Sequence, residues 1–468
     1  MSRLLATALA VAFLAAPSAF AAQDWPQQRH DAQNTGSIEL DAPKSARPRP
    51  WSSEGSGRIW GYEPGMVVWT GAALGVVEGK AIAAVGSYDR LVYVFDAATG
   101  DLQWKLTTGG PVHGSPAIWE AGGKPVLFAS SSDRLVYAVD AASGKSLWVH
   151  SVEEYRPTLG GARLSAPSVG KAAGQDAVFV GHWVFDRSLG HSLQRGGVTA
   201  LSARDGKPLW TRVLGDNEVT AAITVGNRLW VGSSDGNTYA LDADTGRVLW
   251  QKTELDAVRN PPAFIPGERP MVVTASKFGM VRGLDAETGE ERWSFKTGDR
   301  VTASPVLIPG DRVIVGSYDR RLWALDVKTG QSAWSYAARG GIYASAAYVP
   351  SSPPLLLASA WDHSLHAVSA QDGAHQFTTY TGQPLWTVGG LDDSNWAAPS
   401  AARIQGSWIL VHGSYDGTLR ALPLDERDRR PPPVRSNGWF WLSFPIALTP
   451  VAVFAFLLSR WERMRRRA

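Results

Sequence analysis

Short runs with an apolar period of two, such as Leu91, Tyr93 and Phe95, recur along the chain between breaks at Gly, Asp and Ser. That spacing predicts β-strands and fits a helix poorly. The strands come in a repeated phrase. "VGSYDRLVYVFDAATGDLQW" at residues 85–104 returns as "VGSYDRRLWALDVKTGQSAW" at 315–334. Each copy ends in Asp, two spacers, Thr-Gly or a close equivalent, three spacers and Trp: Asp96 to Trp104, Asp140 to Trp148, Asp242 to Trp250, Asp285 to Trp293 and Asp326 to Trp334. Ser202 to Trp210 and Ser369 to Phe377 keep the spacing with substitutions, and His412 to Asp425 is an eighth copy that stops before its Trp. Successive starts lie 44, 62, 40, 43, 41 and 43 residues apart. A period of roughly 40 to 50 residues predicts a four-stranded propeller blade. The fold class expected is therefore all-β, an eight-bladed β-propeller of four-stranded blades.

The turn residues agree with this. "SYDR" and "SSDG" stand where a hairpin must turn, since Asp and Gly tolerate the backbone angles required. The Gly of "DAATG" supplies a positive-φ position. The Trp ends the outermost strand, where a large ring fills the wedge between blades. The eighth copy lacks its outer strand, and "RPRPW" precedes the first complete blade. Trp51 is therefore expected to be the outer strand that closes the ring, which removes the exposed sheet edges.

The repeated D-x-x-T-G-x-x-x-W resembles the pyrroloquinoline-quinone (PQQ) enzyme repeat, and "DWPQQRHDAQNTG" at residues 24–36 is similar to the N-terminal segment of PQQ-like propeller proteins. The likeness covers about residues 24 to 425. It implies the propeller fold. For activity it leaves two options, a quinoprotein dehydrogenase or a scaffold like the propeller lipoprotein of the outer-membrane β-barrel assembly machine, because a fold hosts many functions.

Composition adds topology. Residues 1–21 carry Arg3, an apolar run and small residues before Ala22, a cleavable export signal too short to span a membrane. Trp439 to Ser459 is a run of 21 uncharged residues flanked by Trp and followed by "RWERMRRRA". That pattern predicts a C-terminal transmembrane α-helix at 439–459 with a basic cytoplasmic tail at 460–468. Residues 427–438 are then an Arg/Pro-rich linker and 22–426 the propeller. The expected location is the bacterial inner membrane, single-pass, with the propeller in the periplasm. The propeller segment holds 36 basic and 41 acidic residues, so the chain's pI of 9.0 comes from its ends and does not point to nucleic acid. There are no cysteines, which excludes disulfides, a lipid anchor on Cys and covalent haem.

Candidate chemistry lies on one face. Aligned starts of the inner strands read Trp69, His113, Leu164, Val219, Arg259, Thr302, Tyr343 and Trp396. Trp69, His113, Tyr343 and Trp396 form an aromatic arc around a channel mouth, and with Arg259 they are the expected ligand- or partner-binding set. Trp60, Tyr62, Glu63, Trp386, Asp392 and Asp393 are expected on flanking loops. The longest insertions, residues 151–163, 182–196 and 378–396, fall on the same face, where arrays carry function. The turn aspartates Asp89, Asp133, Asp235, Asp319, Asp362 and Asp416 are read as turn chemistry rather than metal ligands. His182, His191 and Asp186 share one insert without repeated ligand spacing. Arg163, Arg187, Arg195 and Arg259 suit a carboxylate or phosphate, or simply solvent.

No catalytic residue and no metal ligand is assigned, and no nucleophile triad or phosphate loop is present. No cofactor is required by the residues. PQQ and calcium are implied only by the family likeness, with Trp69 or Trp396 as floor and Glu63, Asp392 or Asp393 as carboxylate. The reading is a non-catalytic scaffold or assembly factor with a periplasmic or membrane protein partner. The alternative is the quinoprotein dehydrogenase.

Overall fold

The structure, a computed structural model, describes residues 37–40, 60–62, 70–152, 160–186, 193–215, 217–254, 256–342, 344–362, 364–380, 398–404, 407–413 and 419–424. All belong to the first of two compact units, Met1–Asp428. The described residues hold no helix long and apolar enough to cross a membrane, and the segment 439–459 lies outside them.

Among the described residues eight mainly antiparallel sheets form, seven of them from successive stretches of chain and the eighth from both ends of the propeller segment. In the first, Ala73–Val77, Lys80–Gly86, Leu91–Asp96 and Leu102–Thr107 pair in sequence order, inner strand to outer. Apolar clusters weld every neighbouring pair of blades. One joins blades eight, one and two through Val411, Leu74 and Leu127. Others join two to three, three to four, four to five, five to six, six to seven and seven to eight. The ring is closed by burial, since each sheet hides both faces against its neighbours.

The repeat motif builds the seams. In "DAATG", the Asp96 carboxylate accepts the amides of Ala98 and Thr99, and the Gly100 amide donates to the Asp96 carbonyl. The motif glycines sit at φ from +66° to +76°, a region that costs other residues dearly. They are also where the preceding blade's Trp docks. A Cβ on Gly144 would stand 2.7 Å from the ring of Trp104, and one on Gly289 2.7 Å from Trp250. The indole N–H then donates to the carbonyl of the residue after the motif Asp or Ser: Trp104 to Ala141, Trp148 to Ala203, Trp210 to Ala243, Trp250 to Ala286 and Trp293 to Val327, at 2.6 to 3.1 Å. Trp334 stacks on Gly373 in the same way, but its buried Nε1 has no partner. One seam adds polarity. Between blades four and five the buried Glu254 carboxylate accepts from Thr238, Thr274 and the Arg282 guanidinium.

Closure differs from expectation in one respect. The outer strand of the eighth sheet is Trp60–Tyr62, paired with Leu419–Pro423, and Trp51 lies outside the described residues. The register gives the reason. The anchor Trp stands opposite the residue two before the motif Asp, as Trp148 opposite Ala138 and Trp250 opposite Ala240. In the eighth sheet that partner is Ala421, and it faces Trp60. Two sheets also exceed four strands. Ser37–Leu40 adds a parallel strand to Ser400–Ile404 in the eighth, and Gly160–Leu164 extends the third.

Replacing Trp250 by Ala removes a buried ring and leaves the Ala286 carbonyl with only the longer bond from the Trp230 indole, at 3.4 Å. The expected loss is about 3 to 5 kcal/mol in equilibrium denaturation. Unchanged stability would mean that this ring does not hold the seam.

Candidate functional site

Because the chain enters each blade at its inner strand and leaves at its outer one, two sets of connections share one face. These are the turns between the two middle strands and the loops running from each outer strand to the next inner strand. Backbone bonds clamp them together: the amides of Ser132, Ser234, Lys277, Tyr318 and Trp361 donate to Pro111, Glu218, Ala257, Arg300 and Gly341. The described turns and loops of this upper face are therefore held rigidly to one another.

The turn aspartates supply that rigidity. Asp133 accepts the Leu135 amide, the Tyr137 hydroxyl and the Gly109 amide. Asp319 accepts the Arg321 amide, the Trp323 indole and the Gly298 amide. Asp362 accepts the Ser364 and Arg339 amides and pairs with His366 at 2.9 Å. Asp89 and Asp235 each hold a Tyr hydroxyl and a turn amide. The reading as turn chemistry holds for these five; Asp416 lies outside the described residues.

Of the expected binding set, His113 and Arg259 are described. Trp69, Tyr343 and Trp396, and the flanking Glu63, Trp386, Asp392 and Asp393, lie outside the described residues. Trp60 and Tyr62 belong to the outer strand of the eighth sheet rather than to a loop. Arg259 is exposed, while Leu164 and Val219 at the equivalent positions are buried. His113 meets Tyr88 edge-on with centroids 4.6 Å apart. Burial first, and then the Arg163 guanidinium, lower the His113 pKa from 6.5 to about 4. Burial raises the Tyr88 phenol, with Arg163 pulling the other way. Arg163 also lies 3.7 Å from Glu218. The loops of blades one to four thus meet around a neutral imidazole and an arginine.

Further round the face, on blades five to seven, the turns carry aromatic rings that sequence reasoning did not single out. Tyr318 meets Trp361 edge-on at 5.3 Å, and the Arg300 guanidinium stands 5.0 Å from the Tyr318 ring centre. Their signal was available, since Tyr88, Tyr318 and Trp361 occupy the second place of the same repeated turn.

The third blade is built upward. Gln175–Asp186 and Leu193–Ser202 form an overlong hairpin. Ser168–Ala172 pairs with the lower half of its first strand and Gly160–Leu164 with the upper half. Glycines let this arm lie on the fourth blade's loop. A Cβ on Gly196 would stand 1.6 Å from the Asn217 carbonyl oxygen, and one on Gly181 2.3 Å from that of Thr220. His182 sits at the arm's root, opposite Leu164 and Gly197. It is 1 % exposed and its Nδ1 has no partner. Burial lowers its pKa to about 4. It is a core residue; His191 lies outside the described residues.

A family model described as outer membrane protein assembly factor BamB matches residues 49–234, 132–263 and 234–378, together more than half of the chain. The chain belongs to this family. Members of the BamB family share the PQQ-like repeat expected from the motif. Among solved structures, the quinohemoprotein alcohol dehydrogenase from Comamonas testosteroni superimposes with a TM-score of 0.63 at 17% identity, covering 87% of this chain and 82% of that one. The computationally designed Ika8 protein gives 0.57 at 17%, covering 77% and 98%. A europium-containing methanol dehydrogenase gives 0.61 at 14%, covering 83% and 89%. At these identities the likeness concerns the fold. No curated protein matches the chain.

His182 predicts a pH dependence. A histidine held neutral in the fold but free to protonate when unfolded binds fewer protons in the folded state. Its burial therefore costs nothing above the unfolded pKa, and stability falls as the pH drops from about 6.5 toward 4. Between neutral pH and about pH 5, wild type should lose about 2 kcal/mol more unfolding free energy than His182→Gln. Parallel pH profiles in denaturant titrations would contradict this placement.

Proposed function

We propose that this protein is a membrane-tethered periplasmic scaffold, a non-catalytic propeller that docks protein partners on its upper face. The observation that carries the reading is how that face departs from the repeat. A fifth strand and a long hairpin raise the third blade, and aromatic rings and arginines stand on turns locked by hydrogen bonds. Rigid aromatics and arginine are the side chains that dominate protein interfaces. The five described turn carboxylates are occupied by amides and ring donors, so they serve the scaffold rather than proton transfer. Membership of the BamB family points the same way. Export by residues 1–21 and a span at 439–459 complete the proposal, with the propeller on the periplasmic side of the inner membrane.

The alternative, a quinoprotein dehydrogenase, draws on the fold likeness to quinohemoprotein alcohol dehydrogenase. It requires PQQ and calcium near Trp69 or Trp396 with Glu63, Asp392 or Asp393. All five of these residues lie outside the described residues, and among the described ones no three His, Asp or Glu come together.

Titration of PQQ with calcium into the purified full-length chain, followed by Trp fluorescence and by dye reduction with alcohols and sugars, separates the two. The scaffold predicts neither saturable quenching nor turnover. Quenching abolished by Trp69→Ala or Trp396→Ala, together with turnover, would overturn it.

A further inference from the structure

The fifth blade breaks the turn rule in a way that the fold does not need. Where blades one, two, four, six and seven place Asp89, Asp133, Asp235, Asp319 and Asp362 at the third turn position, blade five has Phe278. The ring is 62% exposed, beside Trp361 at 40% as the second exposed aromatic among the described residues. The lost carboxylate is replaced from the neighbouring loop, where Asp256 accepts the Phe278 amide, and Lys296 donates to the Phe278 carbonyl. The turn is thus braced from both sides while its apolar ring points away from any core. An isolated exposed apolar residue is ordinary. A braced one in place of a structural aspartate is a feature that stability does not account for.

Its surroundings define what would cover it. Tyr318 and Trp361 follow on the next two blades, in edge-on contact. Exposed Arg259, Arg300, Arg320 and Arg339 rise from the same turns and loops, with the partly buried Lys277. The acids interspersed among them, Asp256, Asp319 and Asp362, have oxygens turned to backbone amides of the turns. Asp299 is the one described acid of this arc that is exposed, and its carboxylate lies 4.0 Å from the Arg300 guanidinium. Outward, the arc is therefore aromatic and cationic.

We infer that the upper face of blades five to seven is the docking surface, and that its partner is an acidic polypeptide segment of another protein. Phe278 and Trp361 are the apolar anchors, and the arginines pair with the partner's carboxylates, which they can do bidentately. The inference rests on the scaffold reading and names its face and partner chemistry.

The test is photo-crosslinking of the full-length chain in its native membranes, with p-benzoylphenylalanine at position 278 or 361 and, as control, at Leu147, which is 48% exposed on the outer strand of blade two. The expected result is a protein adduct from 278 and 361 whose crosslinked peptide is net acidic. Its yield should fall about tenfold when Arg300→Glu and Arg339→Glu are combined, with an unchanged melting temperature. A neutral or basic peptide, an adduct with lipid alone, or a yield indifferent to charge reversal would overturn the inference. Protein adducts from position 147 with none from 278 or 361 would overturn this face while sparing the scaffold. Absence of protein adducts from all three positions would sink both.

Discussion

The ring depends on one contact repeated at the seams: an indole laid against the glycine turn of the next blade, its N–H bonded to a carbonyl there. A propeller blade buries nothing alone, so the contact must act between sheets rather than within them. The motif satisfies both sides at once. Its Asp and Gly shape the turn that receives one Trp, and its own Trp reaches forward to the next turn. Variation is tolerated where the geometry survives. Ser202 replaces Asp and still closes the turn onto Gly206, and Phe377 fills the seventh anchor position without an N–H.

The same contact explains what was legible in sequence. Blade number, strand order and the role of the turn aspartates follow from local spacing, and the family likeness was readable in the same motif. The closing strand is Trp60–Tyr62 and not Trp51, whose "RPRPW" merely precedes the first complete blade. A better signal was present: Trp104, Trp210, Trp250, Trp293 and Trp334 each lie 13 residues before the first residue of the next inner strand, and Trp60 has that same distance from Ala73. The approach of Arg163 to His113 was not legible, since it depends on the added strand of blade three carrying an arginine back toward blades one and two. Phe278 was visible only as a missing aspartate.

Function on this fold is a matter of departures from the repeat. A residue that matches its seven equivalents is explained by the ring; one that does not needs another reason. The arm of blade three, with Gly181, Gly196 and Gly197 letting backbone press on backbone, is one departure. The aromatic and cationic arc of blades five to seven is another. Both lie on the face from which the loops project, and the described turns of the second are tied to their neighbouring loops by backbone and aspartate hydrogen bonds.

The N-terminal strand closes the ring in the register Trp60 to Ala421. The absence of cysteine makes that directly measurable with a Gly61→Cys, Arg420→Cys pair, since opposed residues of antiparallel strands lie within disulfide reach. The account predicts that mild oxidation consumes both thiols in an intramolecular bond, and that the oxidised protein melts at a higher temperature than the reduced one. Two freely reactive thiols, or equal bonding when the first cysteine is moved to position 51, would contradict it.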